Sequence, residues 1–434
     1  MPDSVVDETG KHGAGDPLHG AARLIDQPEN SSRDLTLFLV AGEHSGDALG
    51  ARLMAEINAG RRSRVRYLGV GGPLMEAEGL VSQFPLADVA VMGPLAILKR
   101  LPRLIRRVHQ TVDAAIAAEP DAVVIIDSPE FTHPIAKRIR RKRPELPIID
   151  YVSPSVWAWR PGRAARMRHY VDHVMALLPF EPAAHERLGG PPCTYVGHPL
   201  IERYPAWGKL DPAPLAKRLG LVASRPVVVV LPGSRRSEIE RLMGPFGAAI
   251  ERLLAAGRLP QVIIPAVAHM RPLIEQQLRH WPMVPHIVEG EDDKIAAFKL
   301  ATVALAASGT VTLELGLAGT PMVVAYRVDK VAAQLQFLVK TPHFALANLV
   351  LDERAFPELM QDNCTPEKVA ETLIRLIDDS AAREQQLAAL ARIPQIMRLQ
   401  GGTPSEAAAQ IVLTHAFKPR KRNRARPEAV AAKQ

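Results

Sequence analysis

The chain has 434 residues, enough for two or three domains with a sizeable core, which excludes a small disulfide scaffold. Hydrophobic residues make up 47% and charged residues 23%, which excludes wholesale disorder and fibrous repeats. The net charge of +8 divides into −4 on residues 1–34, +6 on the body and +6 on residues 418–434, so the basic balance is partly a property of a tail.

Residues 1–34 carry no apolar periodicity and read as a disordered tail. They lack the basic-then-apolar layout of a secretory leader, and no later stretch reaches the roughly 18–20 apolar residues of a spanning helix. A cytoplasmic chain is expected. The first buried strand is LTLFLVA (35–41), followed by AGEHSGDALGARLM (41–54), where Gly42, Gly46 and Gly50 punctuate a strand-to-helix turn. This loop matches neither GxGxxG nor the Walker pattern, which argues against dinucleotides and nucleoside triphosphates. Glu43, Ser45, Gly46 and Asp47 are cleft candidates for an acceptor substrate; a turn made for packing alone is the competing reading.

After VRYLGV (65–70) comes VMGPLAILKRLPRLIRRVHQ (91–110), an amphipathic pattern. Ile97, Leu98, Leu101 and Leu104 form its apolar stripe, and Arg103, Arg106 and Arg107 belong to its basic face. Such a helix fits an anionic bilayer surface or an ordinary outer helix on a sheet. The next strand, 122–127, ends on Asp127, where a carboxylate can take a proton from a hydroxyl, although Asp-Ser-Pro also makes turns and helix caps. Strands at 147–153 and 173–179 follow, and between them YVSPSVWAWRPGR (151–163) offers Trp157 and Arg160 for a sugar face or equally for the core.

The pattern pauses in the Pro-rich stretch 197–220 and restarts at PVVVVLPG (226–233), QVIIPA (261–266), ATVALAAS (301–308) and PMVVAY (321–326). Alternating strands and helices imply parallel sheets with helices on both faces. LPGSRRSEIE (231–240) sets Gly233, Ser234 and Arg235 at a strand's carboxyl end, where a diphosphate would fit. Ser308, Gly309 and Thr310 open a second such turn, and Glu314, one helical turn on, suits ribose hydroxyls. The closing stretch 418–434 is a basic disordered tail without interleaved aromatics, so no nucleic-acid partner is expected. Cys193 and Cys364 have no metal-site or disulfide spacing.

Together AGEHSGDALGARLM, VMGPLAILKRLPRL, IDSPEF, YVSPSVWAWR, TYVGHPL, LPGSRRSEIE, the Ser308 to Glu314 segment and LANLVLDERAFPELMQ closely resemble the lipid-A-disaccharide synthases of Gram-negative bacteria, over residues 36–415. The resemblance implies an α/β fold of GT-B type, with two Rossmann-like doubly wound domains, 35–205 and 206–417, facing across a cleft; the last helices are free to return to the first. It implies inverting transfer of diacylglucosamine from its UDP carrier to diacylglucosamine 1-phosphate (lipid X), giving a β-1,6 disaccharide and UDP. Asp127 takes the place of the family's essential aspartate, and Arg235, Glu238, Ser308 to Thr310, Glu314 and Asn348 take nucleotide-site places. Ser128, Glu130 and Thr132 depart from a segment that often reads Ala-Pro-Asp-Phe-Asn, which puts an acceptor role for that final Asn in doubt. No metal or other cofactor is expected, since no DxD pair follows a strand. Partners would be the two acylated sugars and the anionic inner membrane, where the chain would sit peripherally on the cytoplasmic face, with a homodimer left open. The rival readings are a related transferase acting on another UDP-hexosamine acceptor and a non-catalytic UDP- or lipid-binding adaptor.

Overall fold

The computed structural model describes residues 33–61, 63–90, 94–328 and 341–418, with the backbone alone for residues 94–99. The first sheet has seven strands: β1 (Leu35–Ala41), β2 (Val65–Val70), β3 (Leu80–Ser82), β4 (Ala122–Ile126), β5 (Ile148–Tyr151), β6 (His173–Ala176) and β7 (Cys193–Tyr195). The second has six: β8 (Val227–Leu231), β9 (Gln261–Ala266), β10 (His286–Glu289), β11 (Val303–Ala306), β12 (Met322–Tyr326) and β13 (Glu358–Met360). Their orders are β3-β2-β1-β4-β5-β6-β7 and β10-β9-β8-β11-β12-β13, and the pairings are parallel.

The central strands owe their sequence to burial on both faces. In β1, Leu37 and Leu39 join one core while Phe38 and Val40 join the core on the opposite face. In β8, Val229 and Leu231 face one side and Val228 and Val230 the other. A parallel sheet covered by helices on both sides requires such unbroken apolar runs.

Helix α1 (His44–Ala59) buries Leu49, Leu53 and Met54 against one face of the first sheet. A short helix, α2 (Pro73–Ala77), follows β2, and α3 (Pro94–Ala118) and α4 (Pro129–Lys142) cover the other face with Val108, Val112, Ile135 and Ile139. The chain passes between the sheets as a continuous helix, α5 (Pro199–Lys209), whose Leu200 and Trp207 enter the second sheet's core. In the second half, α6 (Arg236–Ala255) follows β8, α7 (Glu291–Leu300) follows β10 and α8 (Val311–Ala318) follows β11, with a short α9 (Leu346–Leu351) before β13. The last helix, α10 (Pro404–Phe417), returns to the first sheet and packs Ala408, Ile411 and Val412 with the residues of α1 and β1.

Each sheet reverses its winding at one place, between β1 and β4 and between β8 and β11. Ligands of doubly wound sheets bind beyond the strand carboxyl ends at such switch points. The loops after β1, β4, β8 and β11 are therefore where the chemistry belongs.

Candidate functional site

Asp127 follows β4, and both it and Ser128 hold left-handed backbone, at φ 56° and 45°. For non-glycine residues this costs on the order of 1–3 kcal/mol each, so the surroundings must enforce it. They do so through the Asp127 N–H, which donates to the Tyr151 carbonyl at 3.0 Å, and the Thr132 hydroxyl, which donates to the Asp127 carbonyl at 2.8 Å. Thr132 is fully buried, so the departure from the resembled family's Asn supports the loop and does not face a ligand. The Asp127 carboxylate, half-buried, takes one hydrogen bond on each oxygen: from the Ser128 N–H at 2.7 Å and from the Ser45 hydroxyl at 2.7 Å. Gly42 permits this contact between the loops, since a Cβ there would lie 2.4 Å from that of Ser128.

Glu43 stands half-buried beside this pair. Burial raises its pKa and the Asp127 carboxylate raises it further; the Ser128 hydroxyl and the Arg235 guanidinium oppose them. Arg235 belongs to the loop after β8, so the two switch points lie within electrostatic reach of each other.

Two neighbours expected in the cleft do other work. Asp47 is buried, and its carboxylate accepts from the N–H groups of Gly72, Leu74 and Met75 at 2.8, 3.1 and 3.0 Å, fixing the start of α2. Gly46 is buried because a side chain there would press on the Ile126 carbonyl and the Ala41 methyl. Trp157 packs edge-on to Phe180 at 5.1 Å and donates to Glu181 at 3.2 Å, against the second sheet's core. Its equally weighted core reading is the one the geometry favours. Arg160 is exposed, stacked over its neighbour Trp159 and 4.0 Å from Glu130.

Beyond β8 and β11 opens a cavity of about 580 Å³, lined by Gly233, Ser234, Arg235, Glu238, Ser308, Gly309, Thr310 and Glu314. The N-termini of α6 and α8 adjoin it, so the helix dipoles favour an anion. Gly233 adopts φ 109°, and a Cβ there would collide with the Glu238 carboxylate at 2.4 Å. Glu238 is itself committed to the turn, since one oxygen accepts from the Ser234 and Arg235 N–H groups at 3.1 and 3.2 Å and the other from the Tyr326 hydroxyl at 3.1 Å. Its contribution is the shape of the loop that presents Arg235.

Asn348 corrects an expectation. Its side chain is fully buried, donating to the Phe356 carbonyl and Glu358 at 3.1 and 2.8 Å and accepting from the Ala355 N–H at 3.0 Å. It does not line the cavity. Its influence passes through Glu358, which holds the N–H groups of Phe344 and Ala345 at 2.9 and 3.1 Å, to the Phe344 carbonyl that receives the Ser308 hydroxyl at 3.0 Å. Sequence reasoning also missed Lys294 and Glu291, which line the same cavity from α7. The Lys294 ammonium lies 2.9 Å from Glu314 and 3.0 Å from Glu291.

On α3 the expected apolar stripe divides. Leu104 is half-buried and Val108 enters the core, whereas Leu101 and Ile105 are 42% and 49% exposed. Arg103 and Arg106 are exposed and Arg107 is half-buried; Arg103 and Arg107 both pair with the Asp88 carboxylate, and Arg107 also stacks over Phe84 at 4.4 Å. The two arginines of the expected basic face therefore also hold the helix to the loop at 84–88. The side chains of Ile97 and Leu98 lie outside the described residues. Among the described residues, no helix is long and apolar enough to cross a membrane. Nor is any group of three or more His, Cys, Asp or Glu side chains among them arranged to hold a metal ion.

Residues 37–412 match the family profile described as lipid-A-disaccharide synthetase. The chain is 52% identical over 386 residues to the lipid-A-disaccharide synthase of Nitrobacter hamburgensis, covering 88% of this chain and 96% of that one. It is 42% identical over 384 residues to that of Rhodospirillum centenum, covering 88% and 94%. Among solved structures, a UDP-GlcNAc 2-epimerase from Neisseria meningitidis bound to UDP-GlcNAc superposes with a TM-score of 0.57 at 13% identity, covering 89% of this chain and 100% of that one. MurG of Acinetobacter baumannii does so at 0.52 and 13% identity, covering 88% and 99%. At such identities the likeness concerns the fold, and that fold is the GT-B arrangement of two parallel-sheet α/β domains.

Proposed function

The chain belongs to the lipid-A-disaccharide synthetase family and is a glycosyltransferase of GT-B fold, and from that membership we propose how its residues divide the reaction. The donor is UDP-2,3-diacylglucosamine, with its nucleotide in the cavity beyond β8 and β11; the acceptor is diacylglucosamine 1-phosphate (lipid X), with its primary hydroxyl near Asp127. Asp127 takes the hydroxyl proton as the acceptor oxygen bonds to the donor's anomeric carbon. The bond from that carbon to the diphosphate oxygen breaks on the opposite side, inverting the centre and releasing UDP. Ser45 orients the base by its hydrogen bond at 2.7 Å.

Charge builds on the departing diphosphate. Arg235 and the positive dipole ends of α6 and α8 adjoin the cavity that would hold that charge, which supports leaving-group stabilisation by the protein itself. We therefore propose a metal-independent transfer, with Glu314 accepting from the ribose hydroxyls. What supports the reading is that both loops lie at the switch points of their sheets, and that the Arg235 charge opposes the upward shift of the Glu43 pKa.

Exposed Leu101, Ile105 and Arg106 support docking of α3 on the anionic cytoplasmic face of the inner membrane, where both acylated substrates would reside. Thin-layer chromatography of full-length protein with UDP-diacylglucosamine and radiolabelled lipid X in detergent micelles tests the scheme, with Asp127→Asn and EDTA arms. Disaccharide formed in EDTA by the wild type and lost in the variant is expected. Turnover by Asp127→Asn near the wild-type rate would remove the base assignment, and loss of product in EDTA would remove metal independence.

A further inference from the structure

Lys294 sits between two carboxylates at the wall of the nucleotide cavity, 2.9 Å from Glu314 Oε1 and 3.0 Å from Glu291 Oε2. The other oxygen of Glu291 pairs with Arg203, which comes from α5, the helix that carries the chain between the two sheets. The four groups thus alternate in sign from α5 to the cavity: Arg203, Glu291, Lys294, Glu314. Burial would raise the pKa of Glu291, but Lys294 and Arg203 outweigh it and hold the carboxyl below its ordinary value.

The adjacent residue on α5 anchors the other end. Glu202 accepts from Arg52 of α1 at 2.8 Å with one oxygen and from the Ser405 N–H and hydroxyl at the start of α10 at 2.9 and 2.8 Å with the other. Helix α1 is capped at Glu43 and carries Ser45 in its first turn, so residues 202 and 203 join the donor wall to the acceptor half.

We propose that Arg203, Glu291 and Lys294 are positioning residues that fix the Glu314 carboxylate for the ribose hydroxyls of the nucleotide. The inference deepens the proposed role of Glu314 and rests on it. A glutamate with no fixed partner would rotate at the cavity wall. Here Lys294 holds Oε1, and Oε2 carries the remaining acceptor capacity toward a diol. Lys294 keeps its place because Glu291 and Arg203 brace it from behind.

The test uses full-length protein and the binding of two probes, UDP and 2′,3′-dideoxy-UDP, which lacks the hydroxyls concerned. Wild type should favour UDP by roughly 10-fold or more, the usual range for hydrogen bonds to a charged group. Glu314→Gln should reduce that preference to about 2-fold or less, with Lys294→Met and Arg203→Met falling between the two. Arg203→Lys should keep it, and Arg203→Met combined with Glu314→Gln should be no worse than Glu314→Gln alone, as expected for residues acting through one another. If Glu314→Gln retains the preference, the ribose reading of Glu314 is wrong and the inference falls with it. If Glu314→Gln loses it while Lys294→Met and Arg203→Met weaken both nucleotides equally, the relay has only a structural role. Tighter UDP binding by Lys294→Met would make Lys294 a competitor of the ligand, which also overturns the proposal.

Discussion

The Ser45 hydroxyl donates to Asp127 Oδ2 at 2.7 Å and so ties the first turn of α1 to the loop after β4, 82 positions along the chain. Asp127 occupies left-handed backbone that other residues must hold, and Ser45 fixes the direction of its carboxylate from outside that loop. Ser45→Ala should therefore lower kcat roughly 10-fold or somewhat more with little change in the KM of the donor, the scale of one hydrogen bond to a charged group. Asp127→Asn should remove a factor on the order of 10² to 10⁴, typical of a general base. Steady-state kinetics on both variants checks the ranking; a KM effect without a kcat effect in Ser45→Ala would place the hydroxyl in substrate binding.

For membrane docking, the arginines of α3 are not equivalent. Arg106 is exposed, Arg103 is exposed but shares Asp88, and Arg107 is half-buried on the same carboxylate. Arg106→Glu, and Leu101→Ser with Ile105→Ser, should each reduce sedimentation with anionic vesicles several-fold while leaving the melting temperature within about 2 °C, as surface substitutions usually do. Arg107→Glu should lower the melting temperature, because it sets two carboxylates side by side under Phe84. Undiminished vesicle binding by the Leu101/Ile105 variant would exclude this face from docking.

The sequence announces the centre of each sheet and hides its rim. Strands β1, β2, β4, β5, β6, β8, β9, β11 and β12 coincide with the apolar runs, because burial on both faces demands them. The four strands that escaped, β3, β7, β10 and β13, are the outer strands of the two sheets. They contribute three or four residues each, LVS, CTY, HIVE and ELM, partly exposed and too short for a periodic signal. Missing β10 also concealed Glu291 and Lys294, which follow it on α7. In the site, residue types were legible where a strand's carboxyl end pointed to them, as for Asp127, Arg235 and Ser308. Partners were not: nothing near Asp47 signals that Gly72 to Met75 need its carboxylate, and nothing near Asn348 signals Glu358.

Buried Asn348 and half-buried Glu358 form a pair that braces the backbone at 344–345. Asn348→Ala leaves the Ala355 N–H and part of Glu358 without partners, at a cost of about 2–4 kcal/mol of stability. Because the Phe344 carbonyl receives Ser308, UDP affinity should fall as well, by about 3-fold on the scale of one neutral hydrogen bond. Denaturant unfolding and UDP titration of the same preparation measure both. A loss of UDP binding without a loss of stability would return Asn348 to direct ligand contact.

Glu181 gives the fold a pH dependence whose sign can be worked out. It is 4% exposed; burial pushes its pKa up to about 7, against the hydrogen bonds from the Leu178 and Leu177 N–H groups and Trp157 that favour ionisation. Because the folded state holds this proton more tightly than the unfolded chain, its contribution to stability is present below the ordinary glutamate pKa. That contribution is lost as pH rises through about 7. Between pH 5 and 7.5 the group should remove on the order of 2 kcal/mol of stability. Glu181→Gln cannot ionise, so urea unfolding at the two pH values should show a smaller loss than in wild type by about that amount, whatever the variant's absolute stability. Identical pH slopes would mean that Glu181 is already ionised at pH 5 and that its hydrogen-bond donors, the Ser153 hydroxyl included, outweigh its burial.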